Sequence, residues 1–183
     1  VEKDTLYMHG KKIIVSGPQE DRVIRAFNNV RFYKSDMSGK CDSLHSNNKT
    51  QLTKMIGKPI LWNNENQMTG DIMHLIGNNK TQKLDSLKVL NNAFIIQKDS
   101  LSENGYNQIK GQNLYGKFVD GKLKEVDMVK NAEVIYYMYN DANEFIGINK
   151  TVCSKINLEL EENKINSITF FTKTDSHIYP EAD

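Results

Sequence analysis

Four tetrapeptides of one pattern recur along the chain: Met8-His9-Gly10-Lys11, Met37-Ser38-Gly39-Lys40, Met68-Thr69-Gly70-Asp71 and Ile109-Lys110-Gly111-Gln112, each apolar, polar, glycine, polar. Their glycines are spaced by 29, 31 and 41 residues. Periods of this size mark stacked supersecondary units, none of which buries its apolar face alone. The last two copies extend further: Asn66-Gln67 matches Asn107-Gln108, and Leu90-Asn91-Asn92-Ala93 falls where Val129-Lys130-Asn131-Ala132 does. Chance recurrence in a chain holding 11 Gly and 7 Met competes as an explanation of the tetrapeptides, and the longer match weakens it. A glycine inside a strand pattern marks a bulge, a bend or close backbone approach, so one per unit would curve a sheet. A curved sheet of stacked antiparallel hairpins is the expectation.

Local patterns agree. Ile156-Asn157-Leu158-Glu159-Leu160-Glu161 alternates apolar and polar at every step, the period of a strand with one face buried and one in water. After a turn at Glu162-Asn163 the chain returns with Ile165, Ser167, Thr169 and Phe171 on one face and Ile168 and Phe170 on the other. Asp120-Gly121 predicts a type I′ hairpin between 114–119 and 123–129, since both residues take positive φ readily. Further strands are expected at 22–34, 37–44, 50–56, 59–63, 66–76, 84–97, 106–119, 133–139 and 144–150. The chain carries 21 Asn and 17 Ile but only five Ala, a mixture rich in turn and strand residues and poor in the best helix former. The hydrophobic share of 38% is low, yet 8 Tyr and 7 Phe in a regular pattern argue against disorder. An all-β domain with a thin core follows.

Charge narrows the partners. With 24 Lys+Arg against 23 Asp+Glu the formal net charge is +1, too small for an electrostatic grip on nucleic acid. No run approaches the ~18–20 apolar residues of a membrane-spanning helix. Nothing like a secretory signal follows Val1, so any such segment has been removed or lies upstream. Cys41 and Cys153 lack C-x-x-C spacing and read either as two buried free thiols or as one disulfide closing a long loop. The sequons at Asn48, Asn79 and Asn149 are what chance gives in so Asn-rich a chain.

The stretch Val30-Arg31-Phe32-Tyr33-Lys34-Ser35-Asp36-Met37-Ser38-Gly39-Lys40-Cys41-Asp42-Ser43-Leu44 resembles the OstA-like family of Gram-negative bacteria, relatives of the lipopolysaccharide transport proteins LptA and LptD. Gly57-Lys58-Pro59-Ile60-Leu61-Trp62 and Asn66-Gln67-Met68-Thr69-Gly70-Asp71 look like that family's P-x-L-W and N-Q-x-x-G-D segments, and Gly147-Ile148-Asn149-Lys150 like its G-x-N-K; the likeness covers roughly residues 5–172. The resemblance implies an all-β fold, a β-jellyroll of stacked antiparallel hairpins shaped as a slotted tube open at both ends. It implies a periplasmic module, associated with the outer membrane through other parts of its parent, that holds the acyl chains of lipopolysaccharide or a related glycolipid. Its partners would be other lipopolysaccharide transport proteins, or copies of itself joined through sheet edges. Residues 1–183 are expected to form a single such domain excised from a longer protein, the periplasmic part rather than a barrel pore.

Within that frame the candidate interior lining is Phe32, Leu44, Trp62, Met68, Ile72, Phe94, Ile109, Leu114, Phe118, Val134, Tyr136, Ile156 and Leu158, with Leu160 following in phase. Their parity is inferred, and a slip of one residue inverts it. Trp62 reads as core or as groove wall, and the methionines as an adaptable lining or as gap fillers. Asp71 and His74, three apart on a strand, would face opposite ways, and His9, His45 and His177 lack metal-ligand spacing, so no catalytic centre, metal or cofactor is expected. Asp42-Ser43-Leu44, Asp85-Ser86-Leu87 and Asp99-Ser100-Leu101 read as Asp-Ser turn starts, though they also resemble the O-glycan acceptor tripeptide of some periplasmic systems.

Three functions compete: a lipopolysaccharide-binding or transport module, an assembly module joined by β-strand addition without lipid, and a carbohydrate-binding or glycoside-cleaving β-sandwich. A continuous apolar groove open at both ends would favour the first, and a fully packed interior the second.

Overall fold

The structure is a computed structural model that describes residues 5–162, 164–172 and 174–180. Its strands, in chain order, are β1 (Tyr7–His9), β2 (Lys12–Ser16), β3 (Val23–Lys34), β4 (Met37–Asn47), β5 (Leu52–Ile56), β6 (Ile60–Asn63), β7 (Asn66–Thr69), β8 (Ile72–Gly77), β9 (Leu84–Lys98), β10 (Tyr106–Val119), β11 (Lys122–Tyr139), β12 (Phe145–Glu161), β13 (Lys164–Phe171) and β14 (Asp175–Tyr179). A single 3₁₀ turn, Gln19–Asp21, is the one helical element among the described residues. All strand pairings among the described residues are antiparallel, as the hairpin pattern predicts.

One continuous sheet bends along a line across its middle and faces itself as two layers. The pairings of the first layer run β1-β3-β4-β6-β7-β9-β10-β11-β12-β14. Those of the second run β2-β3-β4-β5-β8-β9-β10-β11-β12-β13. Strands β3, β4 and β9 to β12 pass through both layers, and the shorter ones serve one layer each. Across the first layer one inward row reads Met8, Phe32, Gly39, Leu61, Met68, Ile95, Ile109, Val134, Thr151. Its counterpart in the second reads Ile13, Ala26, Leu44, Met55, Met73, Val89, Leu114, Met128, Ile156, Phe170. The two rows meet in one hydrophobic core.

The bend has a residue code. Long strands cross it at pairs with positive φ, namely Asn28-Asn29, Asn91-Asn92 and Lys130-Asn131, and the register slips at these points. Asn tolerates the left-handed region better than other non-glycine residues, and among the described residues seven of the fourteen non-glycine positions with positive φ are Asn. The abundance of Asn is thus partly a requirement of the fold. On the inward side the crossing positions are small or short: Val30 opposite Cys41, Ala93 opposite Gly111, and Ala132 opposite Cys153. Gly10 and Gly70 continue this seam just past β1 and β7. A Cβ on Gly70 would lie 2.2 Å from Val89 Cγ1, and one on Gly111 2.6 Å from Met128 Cγ. At the seam the two layers leave no room for more.

The match between 90–93 and 129–132 is therefore one structural device used twice. The tetrapeptide repeat holds at three of its four copies: Met8, Met68 and Ile109 share one inward row and Gly10, Gly70 and Gly111 the seam. The copy at Met37 is displaced by two residues. Gly39 occupies the methionine row because the Phe32 ring lies over it, and Cys41 takes the seam.

Strand boundaries differ from the expectation where the bend intervenes. The predicted strand 66–76 breaks at Gly70-Asp71, where Asp71 N–H bonds to Asn91 O. The segments 123–129 and 133–139 are one strand, β11, and 144–150 joins 156–161 in β12. In β13 a register shift between Glu159 and Leu160 inserts Asn166, so Ile165 faces inward with Ile168 and Phe170, which the simple alternation missed. Asp120 and Gly121 both have positive φ, as the type I′ hairpin requires. Glu162 turns with φ 48°, while Asn163 lies outside the described residues. Asp42 and Asp85 sit within β4 and β9, so only Asp99 begins a turn. Cys41 and Cys153 are buried free thiols rather than a disulfide.

Candidate functional site

The inward faces are not open throughout. Between the ends the interior is filled: Met55, Leu61, Met68, Met73, Leu114 and Met128 have no exposed surface. Two cavities open beside it, lined by opposite edges of the sheet and differing in character.

The first, of about 650 Å³, lies beside the N-terminal strands. Its walls combine Leu6, Met8, Phe32 and Met37 from the first layer with Ile24, Leu44, Leu75 and Leu84 from the second. Its rim carries Lys34, Lys80 and Lys83, and no carboxylate lines it. Two turns of identical sequence build the second-layer rim, Asn47-Asn48-Lys49-Thr50-Gln51 and Asn78-Asn79-Lys80-Thr81-Gln82. In each, the first Asn folds the chain by accepting backbone N–H bonds two and three residues ahead, at 2.9–3.2 Å. The second turn stacks on the first through Gly77 N–H to Gln51 O, 2.9 Å. The rim also ties the layers together, with Lys34 Nζ donating to Gln82 O at 2.7 Å, while Lys83 Nζ donates to Asp120 O at 3.4 Å within the second layer.

The second cavity, of about 440 Å³, lies between the far ends of β9 to β11 and strand β13. It is more polar, with Gln97, Asp99, Asn107, Tyr136, Asn166 and Ser167 facing Ile165, Ile168 and Phe170. Burial opposes ionisation of Asp99, but bonds from the Tyr139 hydroxyl (2.6 Å), Ser102 and Leu101 N–H and the Asn107 amide outweigh it, holding the carboxyl below its usual range. Burial first, and then Asp99, raises the Tyr139 phenol to about 12.

Of the predicted lining, Phe32 and Leu44 wall the N-terminal cavity and Tyr136 the opposite one. Met68, Ile109, Leu114, Phe118, Val134, Ile156 and Leu158 are buried between the layers, with Leu160. Trp62, Ile72 and Phe94 are half-buried on the other face of the sheet and do not line it. Leu61 and Asn63 point inward on either side of Trp62, whose indole N–H bonds Gln67 Oε1 across the hairpin at 2.8 Å. The runs Ile60-Leu61-Trp62 and Ala93-Phe94-Ile95-Ile96 carry no alternation from which to read a face, and the break at Gly70-Asp71 reverses the parity that put Ile72 inside. Met8 and Met37 head repeat copies and could have been found from them. Lys80 could have been found from the duplicated Asn-Asn-Lys-Thr-Gln turn.

Asp99 is the only carboxylate lining either cavity, so the two carboxylates of a glycosidase are not there. Among the described residues no three His, Cys, Asp or Glu side chains converge as a metal site. Asp71 accepts bonds from the Asn92 amide at the bend, and His74 lies between Lys54 and Lys88 in register on the outer face.

No family model matches the sequence, and no curated protein matches it. The fold matches that of LptH, the LptA-homologous periplasmic component of the lipopolysaccharide transport device of Pseudomonas aeruginosa. The TM-score is 0.59 at 14% sequence identity, covering 79% of this chain and 95% of that one. The chain thus has an LptA-like β-jellyroll fold.

Proposed function

We propose that this chain is a periplasmic lipopolysaccharide-transport module, a single OstA-like unit that binds glycolipid acyl chains between its layers and does no covalent chemistry. One observation carries the reading: the N-terminal cavity pairs an apolar wall with three lysines and no carboxylate, at the mouth of a methionine-rich core. An acyl chain entering there gains about 0.8 kcal/mol per buried methylene, while the lysines meet an anionic headgroup. Methionines, unbranched and soft, can repack around a variable chain, which reconciles a filled interior with cargo. The LptA-like fold supports the assignment.

A photoreactive phenylalanine analogue at Phe32 or Leu44 is expected to crosslink to lipopolysaccharide, and the same analogue at Trp62 or Phe94 is not. A folded protein giving no adduct at Phe32, Leu44 or Phe118 would sink the proposal.

A second reading draws on the edges. Ile13, Ile14 and Val15 of β2 and Ile178 and Tyr179 of β14 are exposed on strands that pair on one side only among the described residues. Unpaired edges accept further strands, so neighbouring modules or copies would join there. Proline at Ile14 or Ile178 should then abolish concentration-dependent association without lowering lipid uptake. Association that survives both prolines counts against it.

A further inference from the structure

The outer face of the second layer segregates its charge. Arg25, His45, Lys54, His74 and Lys88 stand side by side across β3, β4, β5, β8 and β9, in register at every step. Each is next in sequence to a residue of the buried inward row, Ala26, Leu44, Met55, Met73 or Val89, so all five point away from the core. Neighbouring strands lie about 4.8 Å apart, which puts Lys54 and Lys88, on either side of His74, within one Debye length at ordinary salt. Their field registers on the histidine, whose protonation is opposed by burial first and then by Lys54 and Lys88.

The rows on both flanks are largely apolar. Toward the seam run Phe27, Ile56, Ile72 and Leu90, with Ser43 among them and Lys12 of β2 opposite Phe27. On the other side run Val23, Leu52 and Ile76, with Asn47 and Ser86. No Asp or Glu stands in these three rows; Asp42, Asp71 and Asp85 lie outside them at bends and register shifts. Among the described residues Lys12, Arg25, Lys54 and Lys88 enter no ion pair. The acids of this face gather beyond Tyr115, where Lys117 meets Glu125 at 2.7 Å and Lys155 meets Asp127 at 2.9 Å. A net charge of +1 thus conceals one cationic half and one balanced half.

A line of cations between apolar rows matches a surface that is anionic and has hydrocarbon just beneath it. A soluble phosphate would use the cations alone and leave Ile56, Ile72 and Leu52 against water. We propose that this face docks the module on an anionic phospholipid bilayer, with Lys12, Arg25, Lys54 and Lys88 over the headgroups and Ile56 and Ile72 at the acyl boundary. The face lies outside the sheet, apart from the lysine-rimmed mouth, and the proposal does not rest on the cargo reading.

Binding is measured by co-sedimentation with phosphatidylethanolamine vesicles holding about 30% phosphatidylglycerol, against vesicles of phosphatidylcholine alone. The chain is expected to bind the first and not the second, and to be released as salt rises from about 0.05 M to about 0.5 M. Each lysine at an anionic surface contributes about fivefold, so Lys54→Gln with Lys88→Gln should weaken binding about 25-fold. Fluorescence gives the orientation. Trp62, the only tryptophan, lies on the outer face of the other layer and should keep its emission on vesicles. Ile56→Trp in a Trp62→Phe background should shift to the blue. Equal binding to both vesicles, full binding by the double lysine variant, or a blue shift at Trp62 would overturn the proposal. So would release by inorganic phosphate at the concentration of the lipid phosphate, which would make the partner a soluble anion. Uptake of a spin-labelled fatty acid, measured on the same proteins, separates the two readings. Vesicle binding without uptake defeats the cargo reading and leaves the docking face standing, and uptake without vesicle binding does the reverse.

Discussion

At the scale of single residues, the informative groups are those whose ionisation the fold controls. Asp99 organises the loop between β9 and β10 by accepting Tyr139 Oη–H and the N–H groups of Leu101 and Ser102. Asp99→Asn keeps the shape but removes the charge that strengthens these bonds, and should cost about 1.5–3 kcal/mol at neutral pH, read by urea unfolding. Because the native carboxyl titrates below its usual value, its contribution is present above the unfolded pKa and lost as pH falls through the native one. The gap between wild type and Asp99→Asn should therefore close below about pH 4. His74 behaves in the opposite chemical sense. Burial, then Lys54 and Lys88, lowers its pKa from 6.5, so the unfolded chain binds the proton more readily. Stability should fall as pH drops through about 6.5, and His74→Gln should show a flatter melting-temperature profile between pH 7.5 and 5.5. Equal slopes would mean that neither burial nor the flanking lysines act on the imidazole.

At the scale of elements, the seam decides what each crossing position can hold. Cys41 pairs with Val30 and Cys153 with Ala132, and desolvation pushes the Cys41 thiol up to about 11. Both cysteines are thus small apolar residues in a tight place rather than reactive groups. Cys41→Ala should change stability by less than about 1.5 kcal/mol, whereas Cys41→Leu should lose about 1–3 kcal/mol by overpacking. In the native protein neither thiol should react with a disulfide reagent until urea unfolds the chain. Rapid native labelling would place the seam nearer solvent. The seam also explains what could be read from the sequence. Strand type and the Asp120-Gly121 hairpin were legible because alternation and turn chemistry are local. The inward rows were legible wherever polar residues separated the apolar ones, as from Ile156 to Leu160. They failed at Trp62 and Phe94, inside unbroken apolar runs, and at Ile72, just past a bend. A bend spends one or two residues without changing composition, so parity beyond it cannot be counted from parity before it. The match of Asn91-Asn92 with Lys130-Asn131 was visible as a repeat, but their positive φ, and hence their role as the crossing, belongs to the tertiary structure. The filled interior and the two unlike cavities depend on how the layers close, which no single strand encodes.

At the scale of the molecule, the two layers are hinged at the seam and fastened at their free lips. Asn63 Nδ2, buried, donates to Asp36 O at 2.8 Å and Gly121 O at 3.1 Å, joining the β3–β4 and β6–β7 turns of one layer to the β10–β11 hairpin of the other. The bond from Lys34 to Gln82 O reinforces the same line. If cargo enters by parting the lips, this clasp is what must open. Asn63→Ala strands two carbonyls for about 1–3 kcal/mol, and should speed amide exchange at 35–37 and 120–122 while the Asp71–Asn91 bond at the seam stays protected. Acyl-probe uptake should quicken in the same variant. The reverse experiment is set by geometry. A Cβ placed on Gly121 lies 3.7 Å from Asp36 Cβ, within the ~3.5–4.5 Å span of a disulfide. Asp36→Cys with Gly121→Cys should therefore lock the lips when oxidised, at some strain because Gly121 has φ +81°. The oxidised double variant is expected to stay folded and to take up acyl probe at least tenfold more slowly, with full recovery on reduction. A locked protein that loads at the wild-type rate would show that cargo enters through the open ends alone and that the clasp is only a structural tie.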